Sequence, residues 1–183
     1  QDRYPGIRST CLMAVEKGLS QDVGDILVFL PGVREIRDMA KQLESRLSLK
    51  QIGQTGQFGQ PSSKISILSL YGNLSRRDQA AAIAPSLPDR RKIVLATAIA
   101  ETSLTIEGVR VVVDTGLMRV PRFSPGTGMD QLDTIRVSRA SADQRQGRAG
   151  RTGPGVCYRI WSEHETKGLI PFNRPEILSA DLT

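Results

Sequence analysis

Residues 92–106, KIVLATAIAETSLTI, contain the two features that decide the fold. The first is a short apolar run with β-branched residues, which is typical of a strand buried on both faces. The second is a loop with four hydroxyl residues within nine positions, directly after Ala96. Hydroxyls and free backbone N–H groups at a strand's carboxyl end can bind phosphate oxygens. An ordinary Ser/Thr turn explains this composition equally well.

Strands and helices alternate on both sides of this stretch. Alternation of strands buried on both faces with helices predicts an α/β fold in three layers with a mostly parallel sheet. Ligands of such sheets bind outside the carboxyl ends of the strands. The predicted strands are Asp25–Leu30, Ile65–Leu70, Lys92–Ala96, Val109–Asp114 and Val156–Trp161, and the predicted helices are 33–48, 75–84, 141–149 and 162–167.

Three segments interrupt this alternation. Residues 117–136 have a glycine-rich centre and predict an inserted β-hairpin. Residues 49–64 are rich in Gly, Gln and Ser without any period, and we interpret them as a flexible insertion. Residues 1–20 are expected to form an entry helix or linker, and 1–172 a single domain.

Composition excludes several classes of protein. No apolar run approaches the roughly 20 residues that a membrane-spanning helix needs, so we expect a soluble, cytoplasmic protein without a membrane partner. With two cysteines and one histidine, neither a zinc cluster nor a disulfide scaffold is expected. No oligomer is predicted. Aromatic residues make up only 4% of the chain, which disfavours binding of single strands through many stacked rings.

Positive charge is concentrated in one region. The net charge is +6, and residues 119–151 hold seven arginines, three aspartates and no lysine. The planar guanidinium fork matches phosphate oxygens in a bidentate manner, so the pattern favours a phosphate partner. A soluble arginine-rich face is the alternative.

Residues 144–151, QRQGRAGR, form the second informative stretch. On a continuous helix Gln144, Arg148 and Arg151 share one face, and Arg145 points about 100° away from Gln144. Arg145 lies off this face, and if it serves only packing or a salt bridge, Arg145→Lys should reduce kcat less than Arg148→Lys. Ser141 and Gln144 also have the spacing of a capping box, which would give the Gln144 amide a structural role instead.

Residues 96–106 and residues 144–151 resemble motifs V and VI, respectively, of the DEAH-box (DEAH/RHA) superfamily 2 helicases. Residues 27–32, LVFLPG, resemble motif IV, and residues 70–75, LYGNLS, resemble the motif IVa region. The match runs from about residue 24 to 158 and is most similar to the bacterial HrpB-type members. The resemblance implies a RecA-like second domain, half of an ATP-driven RNA or DNA helicase. Residues 173–183 resemble the entry to a winged-helix segment.

The resemblance also implies roles at the nucleotide. Arg148 and Arg151 would be arginine fingers that reach the γ-phosphate, with Gln144 near that phosphate or its attacking water. Thr105 and Glu107 would approach the ribose side, and Ser103 would sense nucleotide state. Ile83 stands where related sequences often have an aromatic residue, so weak base stacking is expected.

A second set of positions would contact the nucleic-acid backbone. By matching motif positions these are Thr97, Gly32, Arg34, Tyr71, Gly72, Arg119 and Arg122, the last two on the predicted hairpin, which would act as a wedge or strand guide.

The 183 residues contain neither a G-x-x-x-x-G-K-[ST] phosphate loop nor an Asp-Glu-x-His motif. The Mg²⁺ ligands for ATP are therefore expected on a first RecA-like domain of the same protein, which would be the main protein partner, and the chain alone is expected to be inactive. Two alternatives stay open, a non-catalytic RecA-like binding module and a DNA-specific helicase.

Overall fold

The computed structural model describes residues 6–53, 64–101, 105–124, 129–151 and 153–173. Its helices are α1 (Ile7–Gln21), α2 (Val33–Gly53), α3 (Arg76–Ile83), α4 (Arg139–Gln146) and α5 (Glu163–Lys167), with a 3₁₀ turn at Ala98–Ala100. Its strands are β1 (Asp25–Phe29), β2 (Lys64–Leu70), β3 (Arg90–Ala96), β4 (Val109–Asp114), β5 (Leu117–Ser124), β6 (Met129–Arg136) and β7 (Val156–Arg159).

Five strands form one parallel sheet in the order β2-β3-β1-β4-β7. Its strands are short and apolar, and those at the centre are buried on both faces, which is the pattern that parallel sheets require. β5 and β6 pair separately as an antiparallel hairpin, with Leu117 opposite Arg136 at its base. The predicted α/β, RecA-like architecture with an inserted hairpin is confirmed.

Helices cover both faces of this sheet and create two apolar cores. On one face, α1 and α2 bury Leu12 and Ile36 against Ile26 and Val28 of β1. On the other face, Phe29 of β1 belongs to a second core, which includes residues of α3, of the 3₁₀ turn and of the chain after α4. Successive strand residues point to opposite faces, so one strand supplies both cores.

A buried charged cluster holds the amino edge of the sheet. Asp25 is buried at the start of β1 and accepts hydrogen bonds from Ser86 Oγ, at 2.7 Å, and from the Lys92 backbone N–H, at 2.8 Å. The Lys92 ammonium donates to the carbonyls of Ala82, at 3.1 Å, and Ala84 at the end of α3. Burial lowers the pKa of Lys92, and Asp25 opposes that shift. The cluster therefore joins β1, β3 and α3 at the edge opposite the predicted ligand sites.

Among the helices, α2 and α4 differ from the bounds predicted from sequence. Helix α2 continues to Gly53, five residues beyond the predicted end, so residues 49–53 belong to a helix rather than to the predicted flexible insertion. The remainder of that insertion, except Lys64, lies outside the described residues, as does the predicted winged-helix entry beyond Asn173. Helix α4 begins at Arg139 and ends at Gln146, earlier at both ends than predicted.

Candidate functional site

The start of α4 is set by Ser138 rather than by Ser141. The Ser138 hydroxyl accepts a hydrogen bond from the Ser141 backbone N–H at 3.2 Å, which satisfies one of the free donors of the first turn. The predicted capping box of Ser141 and Gln144 is therefore wrong. The Gln144 side chain is exposed and has no capping role.

The end of α4 also changes the interpretation of the arginines. The helix stops at Gln146, and Gly147 follows it as the C-cap, so Arg148 and Arg151 lie in the succeeding turns. The single helical face predicted for Gln144, Arg148 and Arg151 does not exist as such. The turns nevertheless bring all three residues to one place.

Arg145 points into the interior and is fully buried. Its Nε donates to Glu101 Oε1 at 2.7 Å, and its Nη1 donates to Asp114 Oδ1 at 2.8 Å. The guanidinium carbon lies 4.8 Å from the centre of the Phe29 ring. These contacts agree with the predicted packing or salt-bridge role, and loss of the Arg145 cation would leave two buried carboxylates unpaired.

Arg148 is buried as well and is held by the backbone of Glu101. Its Nη2 donates to the Glu101 carbonyl oxygen. Burial, and then the neighbouring charge of Arg151, lower the pKa of Arg148, whereas Glu101 raises it. Because this environment disfavours the positive charge of Arg148, an anion bound nearby would stabilise the charged guanidinium.

Arg151 is exposed and is oriented by one side chain. Its Nη1 donates to Thr105 Oγ1 at 2.7 Å. Thr105 thus lies beside the arginines, as the predicted nucleotide site requires. Glu107 lies exposed in the turn that precedes β4, and Ser103 lies outside the described residues.

The two arginines, Arg148 and Arg151, line an open pocket of about 340 Å³. Its walls are Glu101, Gln144, Gly147, Arg148 and Arg151. The Glu101 carboxylate is already occupied, because Ser141 Oγ donates to it at 2.7 Å and Arg145 at 2.7 Å. The pocket therefore offers two guanidiniums and an amide without a free carboxylate, which is a suitable chemistry for binding phosphate oxygens.

The predicted nucleic-acid residues lie largely along the carboxyl edge of the sheet. In the strand order β2-β3-β1, most of these residues follow three adjacent strand ends. Tyr71 and Gly72 follow β2, Thr97 follows β3, and Gly32 and Arg34 follow β1. Gly72 and Arg34 are exposed. Tyr71 is partly buried and packs against the core beneath α1 and α2.

The two hairpin arginines differ from each other. Arg119 lies directly over Gly32, where a Cβ would come within 2.6 Å of Nη1, and pairs with Glu35 at 2.9 Å. Only a glycine at position 32 allows this approach. Arg122 is 76% exposed and pairs with Asp133 across the hairpin at 3.2 Å.

Some residues of this region escape sequence reasoning. Arg76 and Arg77, which no motif marks, are exposed at the start of α3 on the same edge of the sheet. The local signal for their position is Ser75, a helix cap five residues after the end of a predicted strand. Glu101 lies within the quoted stretch 92–106, but its contacts have no local signal, because the partners of its carboxylate are 40 and 44 residues away in sequence.

The described part of the chain offers neither a metal-ligand cluster nor a membrane-spanning helix. Within it, no group of three or more His, Cys, Asp or Glu side chains could hold a metal ion. No helix formed by these residues is long and apolar enough to cross a membrane. Cys11 and Cys157 are free, and burial raises the pKa of each thiol to about 12.

Comparison with known proteins gives consistent results. The helicase conserved C-terminal domain model matches residues 10–153. The ATP-dependent RNA helicase HrpB of Escherichia coli is 44% identical over 171 residues, which cover 93% of this chain and 19% of that protein. The Schizosaccharomyces pombe pre-mRNA-splicing factor ATP-dependent RNA helicase prp22 is 42% identical over 166 residues, 90% of this chain and 14% of that protein.

A solved structure is similar over the full chain. The crystal structure of the E. coli DExH-box NTPase HrpB superimposes with a TM-score of 0.81 at 42% identity and covers 100% of this chain and 21% of that one. The chain thus spans between 14% and 21% of the length of these two relatives and of the solved chain.

Proposed function

Since the chain belongs to the helicase conserved C-terminal domain family, in its DEAH/RHA branch, we propose that it acts as the second RecA-like domain of an ATP-dependent RNA helicase. The family and HrpB-type resemblances predicted from the motifs are confirmed. RNA is proposed over DNA because the relatives are named as RNA helicases. The activity of the whole protein is part of the proposal, because the chain spans only a minor part of each relative.

The proposal depends chiefly on the convergence of Gln144, Arg148 and Arg151 on one open pocket. The transition state of phosphoryl transfer spreads negative charge over several oxygens, and planar cations placed there stabilise it. We assign Arg148 and Arg151 as arginine fingers toward the γ-phosphate of ATP. Gln144 is assigned to the same phosphate or to the attacking water.

The pocket suits phosphate but not the Mg²⁺ that accompanies ATP. Its one lining carboxylate, Glu101, is neutralised by Arg145, and the described residues hold no group of acidic or other ligands for a metal. We therefore place the Mg²⁺ ligands on a first RecA-like domain. Mg²⁺ bound there would neutralise charge on the phosphate oxygens.

The residues around Thr105 would hold the rest of the nucleotide. Thr105 orients Arg151 and lies beside the pocket, so it can approach the ribose. Glu107, exposed two residues later, is assigned to the same side. Ser103 keeps its proposed role as the sensor of nucleotide state.

The carboxyl edge of the sheet would hold the backbone of a single strand of RNA. In support of this, Arg34 and Gly72 are exposed there, and Thr97 begins the turn between them. Arg119 would act mainly by fixing the hairpin over Gly32, and Arg122 would contact phosphate directly. The cytoplasmic location stays a prediction.

The fragment alone is expected to hydrolyse no ATP above the buffer rate. Half of the proposed phosphate site would be supplied by another domain. Arginine fingers stabilise the transition state, but residues of that other domain must bind the nucleotide and Mg²⁺. Measurable turnover by the purified 183-residue chain would refute the split site.

The activity test uses the full-length protein with saturating single-stranded RNA. Arg151→Lys keeps the charge but loses the planar fork, and we expect kcat to fall by on the order of 10³-fold with a much smaller change in KM for ATP. Arg151 is the cleaner position, because it is exposed and its replacement disturbs little of the fold.

A matched control is available nearby. Arg159 pairs with Asp143 on the outer side of α4 at 2.8 Å and does not line the pocket, so Arg159→Lys should retain kcat. If Arg151→Lys and Arg159→Lys have the same kcat, the proposed role of Arg151 is wrong.

A further inference from the structure

Arg145 joins two parts of the molecule that the proposed function keeps separate. Toward the pocket, its Nε and Nη2 lie 2.7 and 2.6 Å from Glu101 Oε1. Toward the hairpin, its Nη1 donates to Asp114 Oδ1 at 2.8 Å and to the Leu117 carbonyl at 3.2 Å. One guanidinium thus connects the loop after β3 to the first residue of β5.

On the pocket side, Glu101 transmits the position of Arg145 to Arg148. The Glu101 carboxylate is held by Arg145 and by Ser141, while its backbone carbonyl accepts the hydrogen bond from Arg148. A displacement of Glu101 therefore moves the acceptor that orients Arg148.

On the hairpin side, the contacts include both strands at their base. Asp114 Oδ1 also accepts a hydrogen bond from the Gly116 N–H at 2.8 Å. The Gly116 carbonyl accepts one from the Val137 N–H at 3.0 Å, directly after β6. The base of the hairpin is consequently fixed to the same carboxylate that Arg145 binds.

The burial of this connection makes it stiff. Arg145 and Asp114 are both fully buried, and Glu101 is 7% exposed. Charges removed from water keep their partners at close range, because separation would leave each charge unpaired. A change at one end of such a network is transmitted to the other end rather than absorbed by solvent.

We propose that Arg145 is a positioning residue that couples the β5–β6 hairpin to Arg148, so that nucleic acid engaged by the hairpin sets the orientation of the phosphate-facing arginine. This inference rests on the proposed function. Arg145 itself contacts neither phosphate nor nucleic acid. Its role requires the fork, because a single ammonium group cannot reach Glu101, Asp114 and the Leu117 carbonyl together.

The experiment measures ATP hydrolysis by the full-length protein with and without single-stranded RNA. The readout is the RNA stimulation, the ratio of kcat with saturating RNA to kcat without it. A loss of folded protein lowers both values equally and leaves the ratio unchanged. For Arg145→Lys we expect the RNA stimulation to fall by about tenfold, within the usual range of coupling between two sites.

Two further variants keep the test decisive. Glu101→Gln retains the side-chain shape and the backbone carbonyl but weakens the link to Arg145, so it should also reduce the RNA stimulation, and it replaces Arg145→Lys if that variant does not fold. Arg46→Lys, which alters an exposed ion pair with Glu16 between α2 and α1, should leave the stimulation unchanged.

The outcomes separate this inference from the proposed function. If RNA stimulates the wild type and Arg145→Lys keeps that stimulation, the coupling role is overturned and the proposed function stays intact. If Arg145→Lys does not fold, the same result in Glu101→Gln has the same meaning. Equal losses with and without RNA would likewise make Arg145 merely structural. A wild type without any RNA-stimulated hydrolysis refutes the proposed function, and this inference with it.

Discussion

Two arginine-rich regions of this molecule use the same side chain in opposite ways. In the α4 segment, residues 139–151, Arg145 is fully buried and Arg148 is 6% exposed. In the β5–β6 hairpin, Arg122 is 76% exposed and pairs with Asp133. The α4 segment is held by contacts with the loop after β3 and with the end of β4, whereas the Arg122 guanidinium pairs with Asp133 of the same hairpin.

The difference shows how a domain can keep one set of cations fixed and another adaptable. Fixed guanidiniums can be aimed at a phosphate before it arrives, so no reorganisation is needed when charge develops. Exposed guanidiniums lose little by exchanging a carboxylate for a phosphate, because surface ion pairs contribute about 0–1 kcal/mol. Fixed guanidiniums therefore suit catalysis at a phosphate, and exposed guanidiniums suit contact with a nucleic-acid strand that moves along the protein.

The largest difference between the two regions should appear in stability. We expect Arg145→Met to reduce the free energy of unfolding of the chain by about 3–5 kcal/mol, because it leaves Glu101 and Asp114 buried without their cation. Urea unfolding followed by circular dichroism measures this loss. Arg122→Met is the matched control and should change the free energy of unfolding by no more than about 0.5 kcal/mol. Equal unfolding midpoints for the two variants would mean that Arg145 contributes no more to the stability of the fold than Arg122.

A second effect concerns how the chain beyond α4 is fixed. A Cβ added at Gly155 would lie 2.1 Å from the Ala149 carbonyl oxygen, so the backbone that carries Arg148 and Arg151 must shift. We expect Gly155→Ala to cost about 1–3 kcal/mol in the same unfolding experiment. At Gly150 nothing lies within 4 Å of an added Cβ, so Gly150→Ala should be close to neutral. A neutral Gly155→Ala would mean that this segment is less constrained than its contacts indicate.

The smallest effect is expected in the hairpin. Arg122→Ala in the full-length protein should weaken single-strand binding only modestly and lower the slope of log affinity against log salt by about 0.7, the loss of one phosphate contact. Fluorescence anisotropy over a salt series measures this slope. Arg90→Ala, at the exposed amino edge of β3, removes the same charge away from the site and should leave the slope unchanged.

Sequence reasoning succeeds where a pattern is local. The strand β4 and both ends of the hairpin were predictable because β-branched runs and a glycine-rich turn mark them directly. The Ser75 cap of α3 and the Ser162 cap of α5 are equally local. The pocket residues were predictable because a recognisable motif contains them.

Sequence reasoning fails where a residue's role is set by distant partners. Helical spacing separates Arg145 from Arg148, but it cannot reveal the burial of Arg145, because the carboxylates that pair with Arg145 come from the loop after β3 and the end of β4. Ser138 and Ser141 are both suitable caps, and the choice depends on the carbonyls of Ile170 and Pro171, which accept from Arg139 and Ala140 in the first turn. The prediction of a continuous helix as far as Arg151 is wrong because Gly147 is the C-cap of α4.

The central claim is that Arg148 and Arg151 meet the γ-phosphate when the domain is assembled with its partner domain. The most direct test is a structure of the full-length protein with RNA and a phosphoryl-transfer transition-state analogue, ADP with aluminium fluoride. The account predicts guanidinium nitrogens of both arginines within hydrogen-bonding distance of the fluoride ligands, about 2.7–3.2 Å. Arginines that remain on the Glu101 carbonyl and Thr105 hydroxyl, with solvent between them and the fluoride, would contradict it.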